Sequence, residues 1–146
     1  MNKTNKWGVV PFRLMRDGTM EVLVITTRND NWGLPKGNLI KRLGPRKTAL
    51  REAFEEAGAL GRLVDGKGVS HREKGGVLRL YPMQVSHLLL QWPEDSRRER
   101  RWVKPDKAVK MIKNKAMRRA VESLAARRPE SVEDSYASTP VESLVA

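Results

Sequence analysis

Apolar and polar positions change period several times along this 146-residue chain, and each change marks an element. After Asn5 the run "WGVVPFRLM" gives way to "RDGT", where Asp17-Gly18 is a hairpin turn signal, and then to "MEVLVITTR", rich in β-branched residues. Antiparallel strands are predicted near 6–15 and 20–28. "NDN" marks a turn, and Pro35 biases Leu34 away from helical geometry, so "WGLPKG" reads as a short extended piece. "GNLIKRLGPRK" (37–47), with Gly37, Gly44 and Pro45, reads as a loop. From Lys47 the period becomes helical: Leu50, Ala53, Phe54 and Ala57 fall at i, i+3, i+4 and i+7, an apolar stripe on a helix ending at Gly58. "GRLVDGKGVSH", "VLRLYPMQVSHLLLQW" and "RRERRWV" are strand-like, the first two separated by the turn "REKGG". "KPDKAVKMIKNKAMRRAVESLAARR" is helical in pattern, with Pro105 in the first turn and Ala108, Met111, Ile112, Met117, Val121 and Leu124 facing inward. The sum is a mixed α/β domain with a mostly antiparallel or mixed sheet and helices packed on it.

The length suits one domain with a proper core. No apolar run reaches the roughly 20 residues needed to cross a bilayer, no secretory signal pattern opens the chain, and cysteine is absent. A soluble protein in a reducing, cytoplasmic setting is expected, with no membrane partner and no disulfide or thiolate metal site. Charge sharpens this. The net charge is +12, and because residues 129–146 hold four acids and no Lys or Arg, the remainder carries +16. Such a field attracts polyanions such as nucleic acid, nucleotide polyphosphates or densely phosphorylated small molecules. The expected organisation is a folded domain at 1–128 and an acidic, disordered tail at 129–146.

Within this basic chain "REAFEEAG" (51–58) gathers three carboxylates. Glu52, Glu55 and Glu56 stand at i, i+3 and i+4, one face of the 47–58 helix, with the apolar stripe turned away. Like charges at that spacing repel by a few tenths of a kcal/mol per pair. A hard divalent cation such as Mg²⁺, which prefers oxygen ligands, would offset that repulsion. Arg51, four residues before Glu55, can pair with it and orient it. Alone, "EAFEE" more often marks a solvated acidic face.

The surroundings change that balance. "GNLIKRLGPRKTALREAFEEAGA" (37–59) resembles the signature of the Nudix hydrolases: Gly37, Arg51, Glu52, Ala53, Glu55, Glu56, Gly58 and Ala59 all fall in register. The exception is Leu43, which stands where the family has its first Glu and can neither bind metal nor accept a hydrogen bond. "EVLVITTRNDNWGLPKG" before the signature and "WPEDSRRERRWVKPDKAVKMI" after it extend the likeness, the latter toward the diphosphoinositol and diadenosine polyphosphate phosphohydrolases.

The resemblance implies an α/β/α sandwich with a mixed sheet and hydrolysis of a phosphoanhydride, with Mg²⁺ or Mn²⁺ held by Glu52, Glu55 and Glu56 and the Gly37 carbonyl as an extra oxygen. Glu52 and Glu56 are then the principal ligands, and Arg51 belongs to the catalytic set. Base candidates outside the signature are Glu73, Glu94, Asp95 and Glu99, among which sequence does not choose. Lys36, Lys41, Arg42, Arg46 and Lys47 flank or occupy the loop beside the metal face and are the expected phosphate contacts. Arg13, Arg28, Arg72, Lys74 and Arg79 are more distant candidates. Trp32 and Trp102 read as packing residues, His71 and His87 as satisfied structural histidines.

The charge favours a dinucleoside polyphosphate or an inositol pyrophosphate as substrate. Two rival readings are pyrophosphate removal from a triphosphorylated RNA end and a non-catalytic nucleotide-binding module motivated by Leu43. Oligomeric state is left open.

Overall fold

The structure, a computed structural model, describes residues 5–64 and 68–127; the acidic tail expected at 129–146 lies outside them. The strands β1 (Lys6–Leu14), β2 (Met20–Thr26), β3 (Trp32–Gly33), β4 (Lys36–Asn38), β5 (Ala59–Leu63), β6 (Val69–Glu73), β7 (Gly76–Leu88) and β8 (Arg100–Val103) join in one sheet. Its path runs β3-β2-β1-β7-β5, with β4 on β1, β6 on β7 and β8 on β2. The predicted hairpin closes at Asp17, whose Oδ1 accepts from Thr19 N at 2.9 Å and Thr19 Oγ1 at 2.6 Å. β1 and β7 run parallel from Lys6↔Leu78 to Phe12↔Gln84, while the other pairs are antiparallel. A parallel pair requires a long crossover, and the connection from β1 to β7 carries helix α1 (Gly44–Ala57).

Strand alternation divides the apolar residues between two layers. Val9, Leu23, Ile25, Tyr81, Met83 and Val85 pack with Ala49, Ala53 and Ala57 of α1. Val10, Phe12, Val22, Val24, Leu78 and Leu80 pack with Ala108, Ile112, Met117, Val121 and Leu124 of α2 (Pro105–Met111) and α3 (Lys115–Arg127). This is the expected α/β/α sandwich with a mixed sheet.

Three expectations are corrected. The 47–58 helix begins at Gly44, because Pro45 in the first turn has a fixed φ suited to helix entry and Ile40 O accepts from Leu43 N at 2.9 Å and Gly44 N at 3.1 Å. Its buried stripe is Thr48, Ala49, Ala53, Glu56 and Ala57, with Leu50 and Phe54 only partly covered. Small residues let α1 lie close on the sheet, and Glu56 is drawn into the buried side instead of sharing a solvated face with Glu55. The helical pattern after Lys104 is broken at 112–114: Ile112 is extended (φ −83, ψ 124) and bridges Trp32, and Asn114 Oδ1 caps α3 by accepting from Met117 N at 2.9 Å. His71 is also not fully satisfied, since among the described residues its buried Nε2 has no hydrogen-bond partner, and burial lowers its pKa. Trp32 and Trp102 pack against the cores as expected, with Arg101 and Arg13 stacked on them at 4.9 and 4.3 Å.

Candidate active site

The C-terminus of α1 builds the site. A helix end leaves its last carbonyls without intrahelical donors. Here the segment after β7 supplies them: Glu94 N donates to Glu55 O at 3.1 Å, Trp92 Nε1 to Glu56 O at 3.1 Å, and Arg100 Nη1 to Ala57 O at 2.8 Å. Gly58 closes the helix in the left-handed region (φ 62), where a Cβ would meet Trp92 and Arg100. Docking of residues 92–100 on this helix end brings Glu94 and Arg98 beside Glu56.

Arg98 is largely buried and reaches three segments. Its Nε and Nη2 lie 2.9 and 2.8 Å from Glu94 Oε1, its Nη1 donates to Thr26 O at 2.9 Å, and Nη2 stands 3.9 Å from Glu56 Oε2. On the other flank β4 crosses the helix so closely that a Cβ on Gly37 would collide with the Glu52 carboxyl group. Glu56 Oε1 accepts a long bond, 3.4 Å, from Lys36 N.

Glu52 and Glu56 stand at i and i+4 with their carboxyl groups close enough to perturb each other. Burial, and next the neighbouring Glu52 carboxyl, push Glu56 up to about 8, against the opposing pull of Arg98. Burial also raises Glu52, with Glu55 and Glu94 repelling its charge. Two neighbouring, desolvated carboxyls are an all-oxygen donor pair of the kind a hard cation prefers, and the site already carries the cost of gathering them. Glu55 points elsewhere: its Oε1 accepts from Arg51 Nε at 3.0 Å on the exposed flank. Among the described residues no group of three or more histidine, cysteine or acidic side chains is placed to hold a metal ion. Glu52 and Glu56, with the backbone at Gly37 beside them, are the oxygen donors that could take part in holding one, with Glu55 next to them in sequence but turned to Arg51.

An open cleft of about 850 Å³ lies over this pair. Its lining includes the cations Lys6, Arg28, Lys36, Arg97 and Arg98 and the acids Asp30, Glu52, Glu56 and Glu94. Of the predicted phosphate contacts only Lys36 lines it. Lys41, Arg42, Arg46 and Lys47 are exposed around the start of α1, and Arg46 stacks on Tyr81 at 5.6 Å. Leu43 is the N-cap of α1 and is not among the residues lining the cleft. Of the four base candidates Glu94 lines the cleft; Glu73 accepts from Asn114 Nδ2 at 2.7 Å and Asp95 from Trp92 N at 3.1 Å, while Glu99 extends the sheet through its backbone, donating to Thr26 Oγ1 at 2.9 Å. Sequence reasoning missed Lys6, Arg97 and Arg98 and ranked Arg28 as remote. The i, i+3 and i+4 spacing of Glu94, Arg97 and Arg98 was the available signal for two of them.

The sequence profile of the NUDIX domain matches residues 6–124. Nudix hydrolase 21, chloroplastic, of Arabidopsis thaliana is 33% identical over 130 residues, covering 83% of this chain and 66% of its own length. Human diphosphoinositol polyphosphate phosphohydrolase 3-alpha is 34% identical over 99 residues, covering 63% of this chain and 60% of its own. The chain therefore spans just under two thirds of the length of these relatives. The crystal structure of C. elegans Ap4A hydrolase shares the fold, with a TM-score of 0.67 over 87% of this chain and 98% of that one at 19% identity. With the signature in register on a helix that presents Glu52 and Glu56 to an open cleft, and the domain profile running nearly the length of the described structure, the chain belongs to the Nudix hydrolase family.

Proposed function

We propose that this protein is a Mg²⁺-dependent pyrophosphohydrolase, with Mn²⁺ as a substitute, that cleaves a phosphoanhydride in a dinucleoside polyphosphate or an inositol pyrophosphate. The observation that carries the reading is the desolvated Glu52–Glu56 carboxyl pair in a cleft that five cations also line. Names of relatives support the substrate class: one curated relative is a diphosphoinositol polyphosphate phosphohydrolase and one fold neighbour an Ap4A hydrolase.

When bound, the divalent ion would neutralise phosphate oxygens and acidify a water. The chain's own residues do the rest. Glu52 and Glu56 would hold the cation as carboxylates, and the Gly37 backbone leaves room for the Glu52 carboxyl. Lys6, Arg28, Lys36 and Arg97 line the path of a polyanion and fix its register by charge, which is most of what phosphoryl transfer asks of a protein. Glu94 is the proposed acceptor of the proton from the attacking water, being the one among the four candidate bases that lines the cleft. The cysteine-free composition suits a reducing compartment such as the cytoplasm.

Product release from diadenosine polyphosphates, an inositol pyrophosphate, ADP-ribose, nucleoside triphosphates and triphosphorylated RNA, each with Mg²⁺ or with chelator, tests this. Metal-dependent turnover greatest on the first two is expected. Preference for RNA would move the assignment to end processing, and binding without turnover on any member would make the chain a ligand-binding member of its family.

A further inference from the structure

We infer that Arg98 is a positioning residue that holds Glu94 for catalysis by gripping its carboxylate and tying it to β2. This rests on the hydrolase reading above and extends it to a residue outside the signature. Both contacting nitrogens, Nε at 2.9 Å and Nη2 at 2.8 Å, meet the same oxygen, Glu94 Oε1. Arg97 Nη2 faces that same Oε1 at 3.6 Å. Glu94 Oε2 is left out of all three contacts. The more exposed Arg13–Glu21 pair takes the same one-oxygen arrangement, so what sets Arg98 apart is its burial and its simultaneous hold on Thr26 O.

The rest of the guanidinium explains why the grip is rigid. Nη1 is anchored on Thr26 O at 2.9 Å, and Thr26 and Glu99 exchange two further bonds, Thr26 N to Glu99 O at 3.0 Å and Glu99 N to Thr26 Oγ1 at 2.9 Å. The cation is therefore fixed to β2, and the side chain of Glu94 is fixed to the cation, while its own N–H is fixed to the end of α1 through Glu55 O. Arg98 also stands 3.9 Å from Glu56 Oε2, so a single buried charge spaces Glu94 from the Glu52–Glu56 pair and offsets the repulsion among the three. Without it Glu94 loses its side-chain anchor. Lysine could restore the charge but not the simultaneous hold on Thr26 O and Glu94, because it lacks the planar fork.

The test uses wild type, Arg98→Ala, Arg98→Lys, Glu94→Gln and the Arg98→Ala/Glu94→Gln pair, assayed for kcat and KM on diadenosine tetraphosphate with Mg²⁺. Glu94→Gln should lower kcat by about 10²-fold or more. Arg98→Ala should lower kcat by about 10-fold or more with KM changed less than about 3-fold, and the double variant should be no worse than Glu94→Gln alone within about 3-fold. Arg98→Lys should fall between wild type and Arg98→Ala. In metal-free protein the side-chain carboxyl ¹³C resonance of Glu94, assigned by its loss in Glu94→Gln, should move in Arg98→Ala. Multiplying losses in the double variant, a loss confined to KM, or an unmoved Glu94 resonance would each overturn the assignment. Silence of wild type on every substrate would instead overturn the hydrolase reading and this inference with it.

Discussion

Helices α1 and α3 are nearly equal in length, 14 and 13 residues, and cover opposite faces of one sheet, yet they are built on different rules. α3 is an ordinary amphipath: Ala116, Met117, Ala120, Val121 and Leu124 are buried and its cations face out. α1 buries three alanines, a threonine and a glutamate. Burying Glu56 costs stability, and no packing gain from a carboxyl repays it. The contrast teaches that α3 is there to close the core, whereas α1 gives up packing to deliver charge to a cleft. Its ends are fastened accordingly, by Thr48 Oγ1 accepting from Ile40 N at 3.0 Å near the start and by residues 92–100 at the finish.

Substitutions should split the two helices cleanly. The largest effect is expected from Glu56→Gln on α1, which should lower Mg²⁺-dependent turnover by about 10³-fold or more without lowering the thermal midpoint of the metal-free protein, as the amide keeps the shape of the protonated carboxyl and cannot become a metal-binding carboxylate. Leu124→Ala on α3 should do the reverse, costing about 2–4 kcal/mol in denaturant unfolding through the cavity it leaves, with kcat of the folded protein within about 2-fold.

A pH series sharpens the comparison further. Folded Glu56 holds its proton up to about 8 whereas an unfolded glutamate loses it near its ordinary 4.5, so between those limits the folded state binds the extra proton and metal-free stability falls as pH rises. Chemical denaturation at pH 5.5 and 8.5 should show a loss of roughly 1–3 kcal/mol for wild type and a flatter profile for Glu56→Gln. Added Mg²⁺ should stabilise more at the higher pH, because binding requires the carboxylates free of the proton. Thr48→Val should cost about 1–2 kcal/mol by leaving Ile40 N without its side-chain partner. Arg51→Ala, which removes only an exposed i,i+4 pair at 3.0 Å, should change stability by less than about 0.5 kcal/mol.

Much of α1's purpose can be read from the chain because it lies in one stretch: the signature spacing, the turn at Gly58 and the strands on either side follow from local pattern. The rest was not legible in local pattern. The burial of Glu56 depends on how close α1 lies to the sheet, which the alanines permit but do not announce. The cleft cations Lys6, Arg28, Lys36, Arg97 and Arg98 come from segments up to about ninety positions apart and meet only through the sheet and the docking of 92–100 on α1. The basic run Lys41 to Lys47 drew attention because it adjoins the signature in sequence, but most of it is exposed around the other end of α1. The break between α2 and α3 is hidden because the apolar period continues across it, and only Asn114, a cap residue three positions before Met117, betrays it.

The claim on which the rest depends is that Glu52 and Glu56 are held together to exchange their proton for a divalent cation. Calorimetric titration of Mn²⁺ into metal-free protein at pH 7, in two buffers of different ionisation enthalpy, tests it most directly. The account predicts one tight site that releases about one proton per ion in wild type and disappears in Glu56→Gln. Absence of binding, or binding of equal strength in Glu56→Gln with no proton released in either protein, would contradict it.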